Sequence, residues 1–167
     1  GGSGYDIACA QNDSAILYQL VNQKPIIKTI DFNPTFKENI YFVYLNKKQN
    51  SKTAIANYRN KQGDVANSIV IINEITEALI NTTELHDFAK KIEKHEGIMS
   101  EILGMQTVKQ SLFPDFEGTL KSLGAWGGDF VLAIAKENPT AYFQERGYSI
   151  VIPYAEMLSD LTPDDLN

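Results

Sequence analysis

Residues able to do chemistry gather at four places along the chain. The first is Gly2-Ser3-Gly4-Tyr5-Asp6-Ile7-Ala8. Glycines let a backbone approach a ligand closely. An aspartate held behind them accepts a proton from a substrate hydroxyl if a nearby cation keeps it ionised. The same spacing is that of a capping box, Ser3-x-x-Asp6, in which Asp6 only favours a helix N-terminus. The residues alone leave both readings open.

The second place is Gly124-Ala125-Trp126-Gly127-Gly128-Asp129, ahead of the apolar run from Phe130 to Ala135. Such a cluster can fold into a tight turn whose amides bind phosphate or carboxylate. A β-hairpin turn or bulge accounts for the glycines equally well, and the run is neither a Walker loop nor a dinucleotide fingerprint. Trp126 either stacks on a ligand or covers the edge of a core. The third place is Lys94-His95-Glu96. His95 sits on or beside an apolar helical stripe between Ile92 and Met99, either as a hydrogen-bonded structural histidine or as a substrate contact. The fourth is Lys47-Lys48-Gln49-Asn50-Ser51-Lys52, which is either an anion-attracting helix start or a solvated loop. Cys9 reads as a small buried side chain.

These places need elements to position them. Ser14 to Val21 and Ile26 to Ile30 read as strands around a turn at Asn22 to Pro25, and Ile40 to Leu45 as a third, mostly apolar and so central and covered. Their closeness in sequence predicts that the three are hairpin-like neighbours. Asn50 or Ser51 can cap a helix reaching Tyr58, Asp64 a second, and Thr83 a third. The third carries Leu85, Phe88, Ala89, Ile92, Met99, Ile102 and Leu103 at helical spacing. Thr119 to Leu123 and Phe130 to Ala135 read as strands. Asn138-Pro139 reads as a helix start, Gly147 as its end, and Ser149 to Ile152 as a last strand. The predicted class is α+β, an antiparallel sheet packed against helices, ferredoxin-like after residue 40.

The 167 residues suit one domain or a large piece of two. With a net charge of −6 and only isolated lysine pairs, the chain offers no basic patch for nucleic acid. No stretch approaches the roughly 20 apolar residues that span a bilayer. The single cysteine and two distant histidines form no zinc pattern and favour a reducing, cytoplasmic setting.

Taken in order, these pieces resemble the GHMP kinases, among them the mevalonate and phosphomevalonate kinases. Ser3-Gly4-Tyr5-Asp6 is similar to the family's Ser-Gly-x-Asp segment, and Gly4-Tyr5-Asp6-Ile7-Ala8 to the signature of its GYDIA subgroup. Lys94-His95-Glu96-Gly97-Ile98-Met99, ending in Leu103-Gly104, resembles the family's Asn-His-x-Leu-Leu helix. Ser122-Leu123-Gly124-Ala125-Trp126-Gly127-Gly128-Asp129 resembles its third motif, with Trp126 where the family has glycine. The second motif, Pro-x-x-x-Gly-Leu-Gly-Ser-Ser, which cradles ATP, has no counterpart here.

The resemblance implies the C-terminal part of an ATP-dependent kinase. Residues 1–45 would complete the sheet of an N-terminal half outside this chain, 46–155 would form the C-terminal domain, and 156–167 a tail. Asp6 would be the catalytic base. Ser3, Gly4, Tyr5, His95, Gly124, Ala125, Trp126, Gly127 and Gly128 would bind substrate and phosphate. ATP and Mg2+ would be held mainly by the other half. The acceptor would be a small metabolite, mevalonate-like or a sugar, and this piece alone would be inactive. An unpaired strand edge at residues 14–30 would let the chain form a homodimer. A non-catalytic α+β ligand-binding or assembly module is the alternative.

Overall fold

The computed structural model describes residues 4–47, 65–124, 126 and 129–157. The chain divides into two compact units, Gly1–Pro34 and Thr35–Asn167.

The first unit holds a short helix, α1 (Tyr5–Ala10), and a two-stranded hairpin, β1 (Ile16–Val21) and β2 (Lys24–Thr29). Asn22 and Gln23 turn the hairpin with φ of 50° and 63°. Two successive left-handed residues match the right-handed twist of the strands they join.

The second unit runs β3 (Ile40–Tyr44), α2 (Ala66–Ile80), α3 (Leu85–Leu103), α4 (Val108–Leu112), β4 (Thr119–Ser122), β5 (Phe130–Ile134), α5 (Thr140–Glu145), β6 (Val151–Pro153) and α6 (Tyr154–Met157). Its four strands lie in the order β4-β5-β3-β6, every neighbour antiparallel. Strand, helices, two strands, helix, strand in that spatial order is the ferredoxin-like split arrangement. The fold is α+β, with an antiparallel sheet packed against helices.

Strand β3 departs from the sequence expectation. It does not join the hairpin but sits inside the four-stranded sheet, between β5 and β6. The division of the chain accordingly falls after Pro34 and not at residue 45. Proximity in sequence favoured a hairpin, but a strand as apolar as Ile-Tyr-Phe-Val-Tyr gains more where both edges and both faces are covered. Thr83 is not the cap of α3 either. Glu84 holds that position in extended geometry with no side-chain cap, and the Thr83 carbonyl accepts from Thr35 Oγ1 at 3.2 Å. The helix expected over Asn50 to Tyr58, and Asp64 as a cap, lie outside the described residues.

Alternation along the strands gathers Tyr41, Val43, Leu120, Val131 and Ala133 into one core with Val108, Phe113, Phe116 and Phe143. Phe113 is fully buried and meets the Phe143 ring edge-on, with centroids 5.1 Å apart. Gly118 leads into β4 pressed against β5. A Cβ there would stand 2.4 Å from the Ile134 carbonyl oxygen, so only glycine fits. Asn138 Oδ1 accepts the Thr140 amide at 2.9 Å at the start of α5, and Gly147 follows its end at φ 87°. Leu103 likewise ends α3 before Gly104 at φ 57°. Replacing Phe113 by alanine should cost about 3–5 kcal/mol of unfolding free energy, since no side chain can collapse into a fully buried ring site. Urea unfolding measures this, and a loss under about 1 kcal/mol would contradict the packing described.

Candidate functional site

Strands β3 and β4 run the same way on either side of β5, so their C-terminal ends share one end of the sheet. The glycine-rich turn, residues 123–129, springs from that end between β4 and β5. Gly124, Trp126 and Asp129 are all left-handed there, with φ of 61°, 54° and 54°. Ala125, Gly127 and Gly128 lie outside the described residues, and so does Ser3. Trp126 is only 6% exposed, which places it over the core and not as a free stacking platform.

The far side of the turn is tied to the segment that follows β3. Leu45 N–H donates to the Asp129 carbonyl at 2.7 Å, and Asp129 N–H donates to the Lys47 carbonyl at 2.6 Å. Asn46, itself left-handed at φ 55°, donates from Nδ2 to the Gly147 carbonyl at 2.9 Å. The first lysine of Lys47-Lys48-Gln49-Asn50-Ser51-Lys52 therefore lies against the glycine-rich turn, while residues 48–52 are outside the described set.

The near side is tied to α3. Glu96 Oε1 accepts from the Ser122 amide at 3.1 Å and from the Ser122 hydroxyl at 2.9 Å. Glu96 is 2% exposed. Burial pushes its carboxyl above the ordinary value, while the Ser122 amide, the Lys121 ammonium and the Ser122 hydroxyl pull it back. Burial likewise lowers the Lys121 ammonium, offset by the Glu96 charge, and Lys121 Nζ donates to the Ser122 carbonyl at 3.1 Å.

His95 is half-buried beside this pair, and its Nδ1 is buried with no hydrogen bond. Burial first and the Lys121 charge second bring its imidazole down to about 4. At neutral pH His95 is uncharged, so it offers a hydrogen-bonding ring nitrogen and not a counter-charge for phosphate.

Three of the four places singled out in the sequence thus meet at one end of one sheet. No separate role attaches to Glu96, Lys121 or Ser122 in the sequence: Glu96 and Ser122 stand in it only as members of longer motifs. The visible clue was Glu96 itself, which continues the Phe88-Ile92 series at intervals of four and so puts a carboxylate on an apolar stripe.

The fourth place lies in the first unit. Gly4 is the N-cap of α1, left-handed at φ 78°, and among the described residues no side chain caps the helix. Asp6 stands exposed in the first turn, where the macrodipole favours a negative charge. Tyr5 packs edge-on against Tyr18 at 5.8 Å.

An open groove of about 1130 Å3 occupies the opposite end of the sheet, floored by Phe116, Thr119, Ile134 and Pro139. It includes none of the residues expected to bind substrate. Among the described residues, no group of three His, Cys, Asp or Glu side chains could hold a metal. No helix among them is long and apolar enough to cross a membrane.

No protein-family profile matches the chain. No curated protein matches it either. Among solved structures, it is similar to the Lin0012 protein from Listeria innocua, with a TM-score of 0.57 and 20% sequence identity. The match covers 77% of this chain and 41% of that one, so this chain spans about two-fifths of that protein's length. At that identity the likeness concerns the fold.

The imidazole gives the site a pH signature. His95 binds its proton near pH 4 when folded, against an ordinary 6.5. The unfolded chain therefore binds more protons in this window, and stability falls as pH drops from 6.5 toward about 4. The raised Glu96 carboxyl acts oppositely, favouring the fold at low pH, so a comparison must isolate the imidazole. In urea titrations across that window, wild type should lose more stability than His95→Gln. Equal pH slopes for the two proteins would refute the assignment.

Proposed function

We propose that this chain is the C-terminal part of an ATP-dependent small-molecule kinase of the GHMP type. The observation that carries the reading is the meeting of the glycine-rich turn, the Lys47 segment and the His95-Glu96 stretch of α3 at one end of the sheet. These are the pieces whose order along the sequence resembles that family. A turn with three left-handed residues, tied down on both sides, directs backbone amides along a fixed path.

In this reading the chemistry is transfer of a phosphoryl group from ATP to a hydroxyl or phosphate oxygen of a small metabolite. With a hydroxyl acceptor, its oxygen bonds to the γ-phosphorus as the bond to the ADP oxygen breaks, and Asp6 takes the hydroxyl proton. The exposed Asp6 carboxylate, in the first turn of α1 behind left-handed Gly4, is suited to meet such a proton. The turn shapes the acceptor and phosphate pocket, with neutral His95 as a hydrogen-bonding partner. ATP and Mg2+ would be held mainly by the N-terminal half that the resemblance implies. Catalysis of this kind rests on positioning and charge stabilisation.

Asp6→Asn in the full-length protein tests the reading. Turnover should fall by about 100- to 10,000-fold, the usual worth of a general base. The KM for ATP should change little, because Asp6 would touch the acceptor and not the nucleotide. If Asp6 only favours a helix N-terminus, asparagine should lower stability by about 1 kcal/mol or less and leave turnover intact. A folded variant keeping more than about a tenth of wild-type turnover would sink the catalytic assignment. A full-length wild type without phosphoryl transfer to any of a panel of sugars, mevalonate-like alcohols and their phosphates would instead favour a non-catalytic binding module.

A further inference from the structure

We infer that Glu96 is the positioning residue of the glycine-rich turn, fixing the point where the turn leaves β4 through its paired bonds to Ser122. The geometry begins with the ladder. Leu123 N–H donates to the Phe130 carbonyl at 3.1 Å, so the amide of the preceding Ser122 faces away from β5, along the open edge of the sheet. β4 is the edge strand. Its outward N–H lies under α3, where water does not reach, and an unmet donor there is costly.

Glu96 meets that donor and the Ser122 hydroxyl with the same oxygen. The bonds land on the last residue of β4, two positions before left-handed Gly124. A single acceptor shared by a backbone amide and its own side-chain hydroxyl fixes both the height of the strand end and the Ser122 rotamer. The second oxygen, Oε2, is buried and accepts no hydrogen bond of normal geometry among the described residues.

Packing alone would not place a carboxylate here. A buried acid with one satisfied oxygen is a poor way to hold a helix on a strand, because an apolar side chain of similar size would do so at lower cost. The charged group facing Glu96 is Lys121 from β4, with the Val108 amide approaching from α4, and neutral His95 lies near the same lysine. Glu96 therefore sets its carboxyl acceptor at the point where β4 ends and the turn begins. Its partner constraint is the pair of backbone bonds from Leu45 and Asp129 at the far side. The turn is thus suspended between a side-chain tether and a backbone tether.

This inference deepens the proposed reading of the same turn, and its test separates the two. Trp126 is the chain's one tryptophan and lies buried within the turn, so its emission reports on the turn directly. In the 167-residue chain, Glu96→Leu, which removes the acceptor, should leave far-UV circular dichroism unchanged while Trp126 emission shifts to the red and becomes more accessible to acrylamide. Ser122→Ala, which removes one of the two bonds, should give a smaller shift in the same direction. Ile92→Val, a core change on the same helix, should leave the emission at its wild-type position although it also lowers stability.

In the full-length protein, Glu96→Leu should reduce kcat by up to about 100-fold, the cost of misplacing a site by an ångström or so. Should Glu96→Leu fail to fold, Ser122→Ala against Ile92→Val decides the matter alone. Wild-type emission and quenching in folded Glu96→Leu, or in Ser122→Ala, would overturn the inference. Emission changes as expected in a protein without kinase activity would uphold it and overturn only the proposed function.

Discussion

The antiparallel pairing of β3 with β5 is the constraint on which the second unit depends. These strands lie far apart in the sequence, and joining them closes a long loop whose entropy must be offset by what the pairing buries. The register does this by facing Tyr41 with Ala133 and Val43 with Val131, four residues that belong to one core. Once that register is set, β4 and β6 have nowhere to add but the two open edges, and the order β4-β5-β3-β6 follows. A slip of one residue would turn Val43 and Val131 to the opposite face, so the apolar pattern excludes it. The same pairing brings the end of β3 to the start of β5, which is why Asp129 can accept from Leu45 and donate to Lys47 at all.

Electrostatics adds a second requirement at the exposed edge of that sheet. Glu96 is buried and Lys121 half-buried beside it, and for each the burial opposes the charged form while the other group favours it. In such pairs the desolvation penalty competes with the attraction, so their presence says little for stability as such. What they secure is position: a strand end, a serine rotamer and a lysine that donates back onto the strand. His95 is drawn into the same environment, and its neutrality is a consequence of the company it keeps rather than of any bond it makes.

Local rules were legible in the sequence wherever chemistry and geometry coincide within a few residues. β4 and β5, the Asn138-Pro139 helix start, Gly104 at the end of α3 and Gly147 beyond α5 all follow from residue types that admit few conformations. The α+β class and the ferredoxin-like order were legible as well, because apolar runs of strand length flank an amphipathic helix. Non-local facts were not. β3 left the neighbouring hairpin for a distant partner, a choice made by burial that no window of sequence contains. Thr83 lost its capping role to the extended Glu84, since a cap depends on backbone geometry that residue type only biases. Glu96 was passed over because a charged residue on an apolar stripe ordinarily points out along the helix edge. Its meaning came from Ser122, a partner supplied by a different element.

The turn itself carries the last piece of the argument. Trp126 and Asp129 hold left-handed backbone conformations without being glycine, which costs on the order of 1–3 kcal/mol each. Such strain persists only where the surroundings over-determine it. At Asp129 they visibly do, because its carbonyl and amide are both engaged by the segment after β3. At Trp126 the anchor is the side chain, whose burial outweighs the backbone penalty. A glycine at that position would take the same φ freely and would leave the turn free to take others. Tryptophan removes that freedom by driving a large apolar group into the core. At its described residues the turn is then held by side-chain packing at Trp126 and by hydrogen bonds on both sides, so these positions need not be ordered when a ligand arrives.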